Sequence, residues 1–265
     1  MIFDYYRLNE FARTCRYQDQ WPFPHAVIDE AANNYWLMEA MRMFPEASDV
    51  GVEWYRYDNP LEKKMAFPHI DRLQFPLRDV FYEMNSGRFM NFLEDLTGIA
   101  GLIPDPHFNG GGCHMHLRGG KLDLHCDYNY HPRTNLDRRL NVLLYINPIW
   151  EESWGGSLEL RTKDLREYTT ISPKFNRMVV FSTTEHSYHG HPRPISCPEG
   201  VSRRSLAAYY YSNGRPDHEK APKHSTVFVE DPMSPSPELN ELRLARSRGR
   251  IPSSEVQDTK PKNGA

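Results

Sequence analysis

Between residues 110 and 212, glycine-bounded turns cut the chain into a series of short strand-like runs, and this texture limits the available folds more than any other feature. Gly110-Gly111-Gly112 and Gly119-Gly120 open the region. Leu140 to Asn147 then reads as a strand. Leu140, Val142, Leu144 and Ile146 share a wholly apolar face, and Asn141, Leu143, Tyr145 and Asn147 share a mixed one. Trp154-Gly155-Gly156-Ser157 reads as a turn and Ser157 to Arg161 as a short strand. Tyr168 to Ile171, Arg177 to Ser182 and Arg203 to Ser212 read as further strands. With 21 prolines and 16 glycines in the chain, such a series points to a sandwich or barrel of the jelly-roll kind rather than a helical bundle.

The residues before this region have a different periodicity. Trp21 to Asp29 reads as a turn feeding a short strand, with Asp29 placed to cap a helix from Glu30 to Phe44. Trp36, Leu37, Ala40, Met41 and Phe44 recur there at helical spacing, and Pro45 closes the run. Residues 46–74 are polar and irregular, with Trp54, Tyr55 and Tyr57 as strand candidates. From Pro76 to Leu96 the helical pattern returns, broken by Ser86-Gly87 and ended by Gly98 as a C-cap. The expectation is a mainly β fold with flanking helices: a jelly roll packed against N-terminal helices. Residues 1–232 would form one catalytic domain, with helical support over about 1–100 and the jelly-roll core over about 101–215. Residues 233–265 would be a C-terminal extension, partly disordered, with a short helix near Glu238 to Arg246 and its Arg/Lys run solvated.

The 265 residues suffice for one large domain or two small ones. A net charge of -3 offers no footprint for nucleic acid, and no apolar run approaches the roughly 18 residues a membrane span needs. Cys15, Cys113, Cys126 and Cys197 form no C-x-x-C pair, and the first residues have no basic stretch followed by an apolar run. A cytoplasmic chain with reduced thiols is the expected setting, as monomer or homodimer.

Within the strand-rich region, His125 and Asp127 stand two apart. On a strand they point to one face, so an imidazole and a carboxylate converge. A third ligand is available after Arg177–Ser182, where His186, His189 and His191 cluster. Two histidines and one carboxylate on one face of an iron leave coordination positions open, the facial triad of non-haem Fe(II) oxygenases.

The order of these elements resembles the iron(II)- and 2-oxoglutarate-dependent dioxygenases, in particular their prolyl-hydroxylase-like branch. That pattern is H-x-D, an apolar strand ending near Tyr-Leu-Asn, a Gly-Gly turn, a distal His, and a basic residue opening the last strand. This chain has His125-Cys126-Asp127, then Leu143-Leu144-Tyr145-Ile146-Asn147, Gly155-Gly156, Phe181 to His189, and Arg203-Arg204-Ser205-Leu206. The resemblance covers roughly a third of the chain and implies a double-stranded β-helix. It implies that His125, Asp127 and His189 bind Fe(II), with His186 and His191 as rivals of His189. Arg203, with Arg204 as rival, would pair with the distal carboxylate of 2-oxoglutarate, a planar anion suited to a guanidinium. Tyr145 would hydrogen-bond the same carboxylate. Ser205 shares the strand face of Arg203, and Asn141 shares that of Tyr145, so both are further cofactor-contact candidates.

The implied activity is hydroxylation of an unactivated C–H with release of succinate and CO2. Its cofactors are Fe(II), 2-oxoglutarate and O2, with ascorbate as a supporting reductant. Because Asp127 is present, hydroxylation is favoured over halogenation. Two other readings stay open: a non-catalytic, cupin-like metal-binding or sensor protein, and a zinc hydrolase using the same triad. The substrate, a small molecule or a peptidyl side chain, would meet residues 46–74, 105–118 and 128–138. His107, His114, His116 and His131 are expected at the pocket entrance, on the surface or in structural roles rather than as ligands. Cys126 should point away from the ligands and be buried.

Overall fold

The computed structural model describes residues 1–248. The remainder of the Ser-, Lys- and Pro-rich segment expected to be disordered lies outside the described residues. Five α-helices are present among them: α1 (Tyr5–Thr14), α2 (Asn34–Arg42), α3 (Leu77–Met84), α4 (Gly87–Thr97) and α5 (Asn240–Ser247). The strands in chain order are β1 (His25–Asp29), β2 (Tyr55–Asn59), β3 (Glu62–Phe67), β4 (Ile103–Pro104), β5 (Gly112–His116), β6 (Lys121–Cys126) and β7 (Asp137–Tyr145). They continue with β8 (Leu158–Arg161), β9 (Tyr168–Ile171), β10 (Arg177–Ser182), β11 (His189–His191), β12 (Arg203–Ser212) and β13 (Val227–Phe228).

The sheet runs β1-β10-β7-β12-β5-β3-β6-β11-β8-β9, with β2 on β3, β4 on β12 and β13 on β6. It curls into a nearly closed, jelly-roll-like barrel. Phe181 on β10 and His189 on β11, far apart in that order, bring their rings to 4.7 Å. The two faces of β7 explain the layers. Leu140, Val142, Leu144 and the following Ile146 join Met178, Val180, Leu206 and Tyr210 in the large core that packs against the helices. Tyr145 belongs instead to a smaller cluster inside the barrel, with Leu158, Leu160, Ile171, Val179 and Phe181. Each fully buried aliphatic of the outer face contributes about 1.5–3 kcal/mol by leaving water, so β7 is clamped against the helices and can hold polar groups on its other side.

The helical layer departs from expectation in places. Tyr5, Leu8 and Ala12 bury one stripe of α1, a helix that the sequence reading did not anticipate, and Asp4 caps it by accepting from the Arg7 amide. The helix before Pro45 starts at Asn34, because Asn33 rather than Asp29 accepts from the Tyr35 and Trp36 amides. Asp29 stays in β1 and pairs with Arg177 at 2.6 Å. The break at Ser86-Gly87 separates α3 from α4, and Gly98 takes the left-handed C-cap with φ of 72°.

The region before residue 100 also supplies strands. The stretch read as irregular contains the β2–β3 hairpin, and β3 joins both β5 and β6. Met65 and Phe67 face the large core, whereas Glu62, Lys64 and Ala66 alternate with them to line a cavity. At the other end of the chain, Arg243 and Arg246 are buried rather than solvated, because α5 packs on β13 and Arg246 reaches Glu62 at 2.5 Å. Among the described residues no helix is long and apolar enough to cross a membrane.

Candidate metal centre

His125 near the end of β6 and His189 at the start of β11 are direct partners across an antiparallel pair. Their rings are 4.3 Å apart. Asp127, two residues beyond His125, brings its Oδ1 to 3.7 Å from His125 Nε2 and its Oδ2 to 3.4 Å from His189 Nε2. One ligand atom from each of the three lies within 4.8 Å of the others.

The orientation of both imidazoles is fixed from behind. His125 Nδ1 lies 2.8 Å from the Asp123 carbonyl, and His189 Nδ1 lies 2.9 Å from the Ser187 carbonyl. A carbonyl can only accept, so each Nδ1 carries the proton and each Nε2 presents a lone pair. Burial, followed by the neighbouring His189, pushes His125 down to about 3, and burial likewise lowers His189. Burial would raise Asp127, but Arg138, His189, His125 and Asn141 outweigh it and hold the carboxyl below its usual range. Two neutral imidazoles with free Nε2 atoms and an ionised carboxylate are a donor set that fits a divalent metal, iron(II) included.

Around Asp127 lies a polar network that the sequence reading did not identify. Asn141 Nδ2 donates to Asp127 Oδ2 at 2.7 Å, and Arg138 Nη2 lies 3.0 Å from the same oxygen. Arg138 also donates through Nε and Nη2 to Asn141 Oδ1, at 3.0 and 2.7 Å. Its guanidinium is wedged between Tyr209 and Tyr128, with ring centroids at 3.6 and 4.3 Å. Arg138 and Asn141 are three apart, so strict alternation would put them on opposite faces. A register shift corrects this: Tyr210 pairs with Leu140 but Tyr211 with Arg138, leaving Arg139 as the extra residue of a bulge.

The candidate anion clamp lies further along the barrel. Arg203 is 3% exposed. Its Nε donates to the Gly156 carbonyl at 2.7 Å and its Nη2 to the Tyr145 hydroxyl at 3.1 Å. Gly156 has φ of 72°, and a Cβ there would fall 2.7 Å from Ile195 Cγ2 and 3.2 Å from Arg203 Cδ, so the Gly-Gly turn makes room for the arginine. Burial raises the Tyr145 hydroxyl, which Arg203 partly counters. Ser205, two residues on, is buried and pairs with Tyr145 across the sheet. Arg204 points the other way, over the Phe44 ring and onto Glu46.

The remaining histidines separate by location. His186 is exposed, away from the triad. His107 is exposed, whereas His114, His116 and His131 are buried, which rules out a surface position for those three. His114 Nε2 donates to the Gly110 carbonyl at 3.0 Å, and His131 lies 3.3 Å from Asp105. His116 and His191 bury all four ring nitrogens without a hydrogen-bond partner among the described residues. An unmet buried polar group costs about 1–3 kcal/mol. Cys126 is buried, and burial pushes its thiol up to about 12, leaving it unreactive.

His125 and Asp127 open onto a cavity of about 660 Å³ that is also lined by Arg138, Tyr55, Tyr57, Tyr128 and Tyr130. Of the aromatic, histidine and arginine residues expected to meet substrate within 46–74, 105–118 and 128–138, those four tyrosines and His107 line the cavity, whereas Trp54, His116, Arg118 and Arg133 do not. Trp54 packs in the core, and Arg118 binds the Ser196 and Cys197 carbonyls. The Phe228 ring on β13 lies tilted 5.3 Å from that of His125 and lines the same cavity. Nothing in the local sequence around residue 228 signals this, since the contact depends on β13 adding to β6.

Residues 111–211 match the 2OG-Fe(II) oxygenase superfamily. Prolyl 3-hydroxylase OGFOD1 of Mus musculus is 22% identical over 230 residues, 83% of this chain and 37% of that protein. The chain thus spans little more than a third of that relative's length. A solved prolyl 4-hydroxylase from Phytophthora capsici aligns with a TM-score of 0.51 at 20% identity, covering 80% of this chain and 66% of that one. One from Pseudomonas putida aligns at 0.49 with 16% identity, over 71% and 92%. Residues 111–211 are thus similar to the 2OG-Fe(II) oxygenase superfamily, whose members use Fe(II) and 2-oxoglutarate as cofactors.

Proposed function

We propose that this chain is an Fe(II)- and 2-oxoglutarate-dependent hydroxylase in which His125, Asp127 and His189 hold the iron. The reading rests on one observation above the others: three ligand side chains converge within 4.8 Å, with both imidazoles already turned so that Nε2 faces the common point. When bound at this site, Fe(II) and 2-oxoglutarate would supply O2 activation for hydroxylation of an unactivated C–H, with 2-oxoglutarate converted to succinate and CO2.

The protein's own part is binding, orientation and exclusion of water. Arg203 and Tyr145 would take the distal carboxylate of 2-oxoglutarate, through a charge-assisted hydrogen bond inside a buried site. Ser205 lies next to them on the same strand face. Asn141 would act through Asp127, holding the carboxylate in place with Arg138 rather than touching the co-substrate. The tyrosine walls would receive the substrate and dry the site around the reacting carbon. Prolyl hydroxylation of a peptidyl substrate is the finer reading favoured by the names of the relatives, with a small molecule as the other class.

Anaerobic titration with Fe(II) and 2-oxoglutarate tests the core of this. A weak visible absorption band should appear in the wild-type chain and vanish in His125→Ala. Aerobic incubation with a panel of prolyl peptides should then release succinate in step with hydroxyproline. A chain that takes up metal yet gives neither band nor succinate would be a metal-binding or sensor jelly roll instead.

A further inference from the structure

His116 and His191 belong neither to the metal triad nor to the hydrogen bonds that hold Arg203. His116 closes β5 and His191 closes β11, and they are 3% and 4% exposed. Their rings meet edge to face with centroids 4.5 Å apart. Each neutral imidazole has one N–H and one lone pair, yet none of the four nitrogens meets a hydrogen-bond partner among the described residues.

Their surroundings are cationic. Arg203 is the strand partner of His116, and Arg203 and Lys64 both act electrostatically on His116 and on His191. Lys64 faces the barrel interior and pairs with Glu62 at 3.3 Å, but Glu62 is shared with Arg246. Two N–H donors beside a buried guanidinium, with a second cation near, match the several lone pairs of one carboxylate.

Resting on the oxygenase reading above, we propose that His116 and His191 complete the 2-oxoglutarate pocket, each donating one N–H to the distal carboxylate that Arg203 holds. They are then binding residues that select for a dicarboxylate. The interaction involves hydrogen bonding only, with no bond made or broken.

Calorimetric titration of the full-length, Zn(II)-loaded chain tests this without turnover. In His116→Phe and in His191→Phe, 2-oxoglutarate should bind at least tenfold more weakly, about 1.4 kcal/mol each. Zn(II) affinity should be unchanged, and so should binding of 2-oxobutyrate, which lacks the distal carboxylate. The wild-type chain provides a check that needs no variant. The ring ¹⁵N resonances of His116 and His191 should move with 2-oxoglutarate and stay put with 2-oxobutyrate.

Affinities within twofold of wild type in both variants would overturn the assignment. So would ring resonances that ignore 2-oxoglutarate, which would leave the nitrogens to ordered water. A wild-type chain that binds Zn(II) but no 2-oxoglutarate would bring down the oxygenase reading and this assignment together. Wild-type binding with indifferent histidines would bring down the assignment alone.

Discussion

Asn141 grips Asp127 at 2.7 Å with its amide nitrogen while its amide oxygen accepts two hydrogen bonds from Arg138. One neutral side chain thereby joins a candidate metal ligand to a buried cation. Removing it in Asn141→Ala should leave the carboxylate free to swing towards Arg138. Loss of such an outer contact typically costs about 10–100-fold in metal affinity. Competition for Co(II) against a chelating dye measures it, and wild-type affinity in the variant would show that Asp127 needs no such support.

The two neighbouring arginines should behave differently. Arg203 is buried against Tyr145 and Gly156, whereas Arg204 bonds Ser202 and Glu46 on the other side of the strand. A hydrogen bond to a charged group is worth about 1.5–3 kcal/mol, so Arg203→Ala should raise the 2-oxoglutarate requirement by about 10–100-fold. Arg204→Ala should change it less than about twofold, the range of a surface contact. Measuring succinate release against 2-oxoglutarate concentration distinguishes them, and the reverse ranking would mean the clamp is misassigned.

Gly156→Ala should weaken both the fold and the clamp. A residue with a side chain pays about 1–2 kcal/mol in the left-handed region, and here its Cβ would also press on Ile195 at 2.7 Å and Arg203 at 3.2 Å. The denaturation midpoint should fall and 2-oxoglutarate should bind less tightly in the same variant. Normal binding in a destabilised chain would separate the turn from the arginine.

Acid should destabilise the metal-free chain before its carboxylates titrate. Burial, followed by Lys64, pushes His114 down to about 3 from an ordinary 6.5. Between those values the unfolded chain holds a proton that the folded one refuses. Stability from this group is therefore complete above about 6.5 and lost as pH falls towards 3, at up to about 1.4 kcal/mol per pH unit. Buried His116 is shifted the same way. Urea midpoints measured from pH 7.5 down to 5 should decline, and a flat profile would mean that these imidazoles are hydrated or charged in the native state.

What the sequence could reveal was local or strictly periodic. His125 and Asp127 are two apart on one strand, and the alternation of β7 separates its apolar and mixed faces without any tertiary knowledge. The break at Ser86-Gly87 and the cap at Gly98 follow from backbone chemistry. Arg138 was hidden because a bulge at Arg139 shifts the register, and no residue type announces a bulge. Lys64 was hidden because Glu62, Lys64 and Ala66 look like a polar loop until β5 and β6 close on both sides of them. The burial of His116 depends on which strands become neighbours, and a histidine-rich stretch fits a surface equally well.

The contacts of β13 and α5 carry a consequence for how the site comes into being. By the time residue 191 has left the ribosome, all three candidate ligands have been made, and with Arg203 so has the clamp. Phe228 against His125 and Arg246 against Glu62 come last, from the far end of the described chain. Synthesis runs from one end at about 5–20 residues per second, so the nascent protein passes through an interval of seconds in which the ligand set exists without its full enclosure. A redox-active ion captured then would face open water, and the late-arriving segment is what ends that exposure.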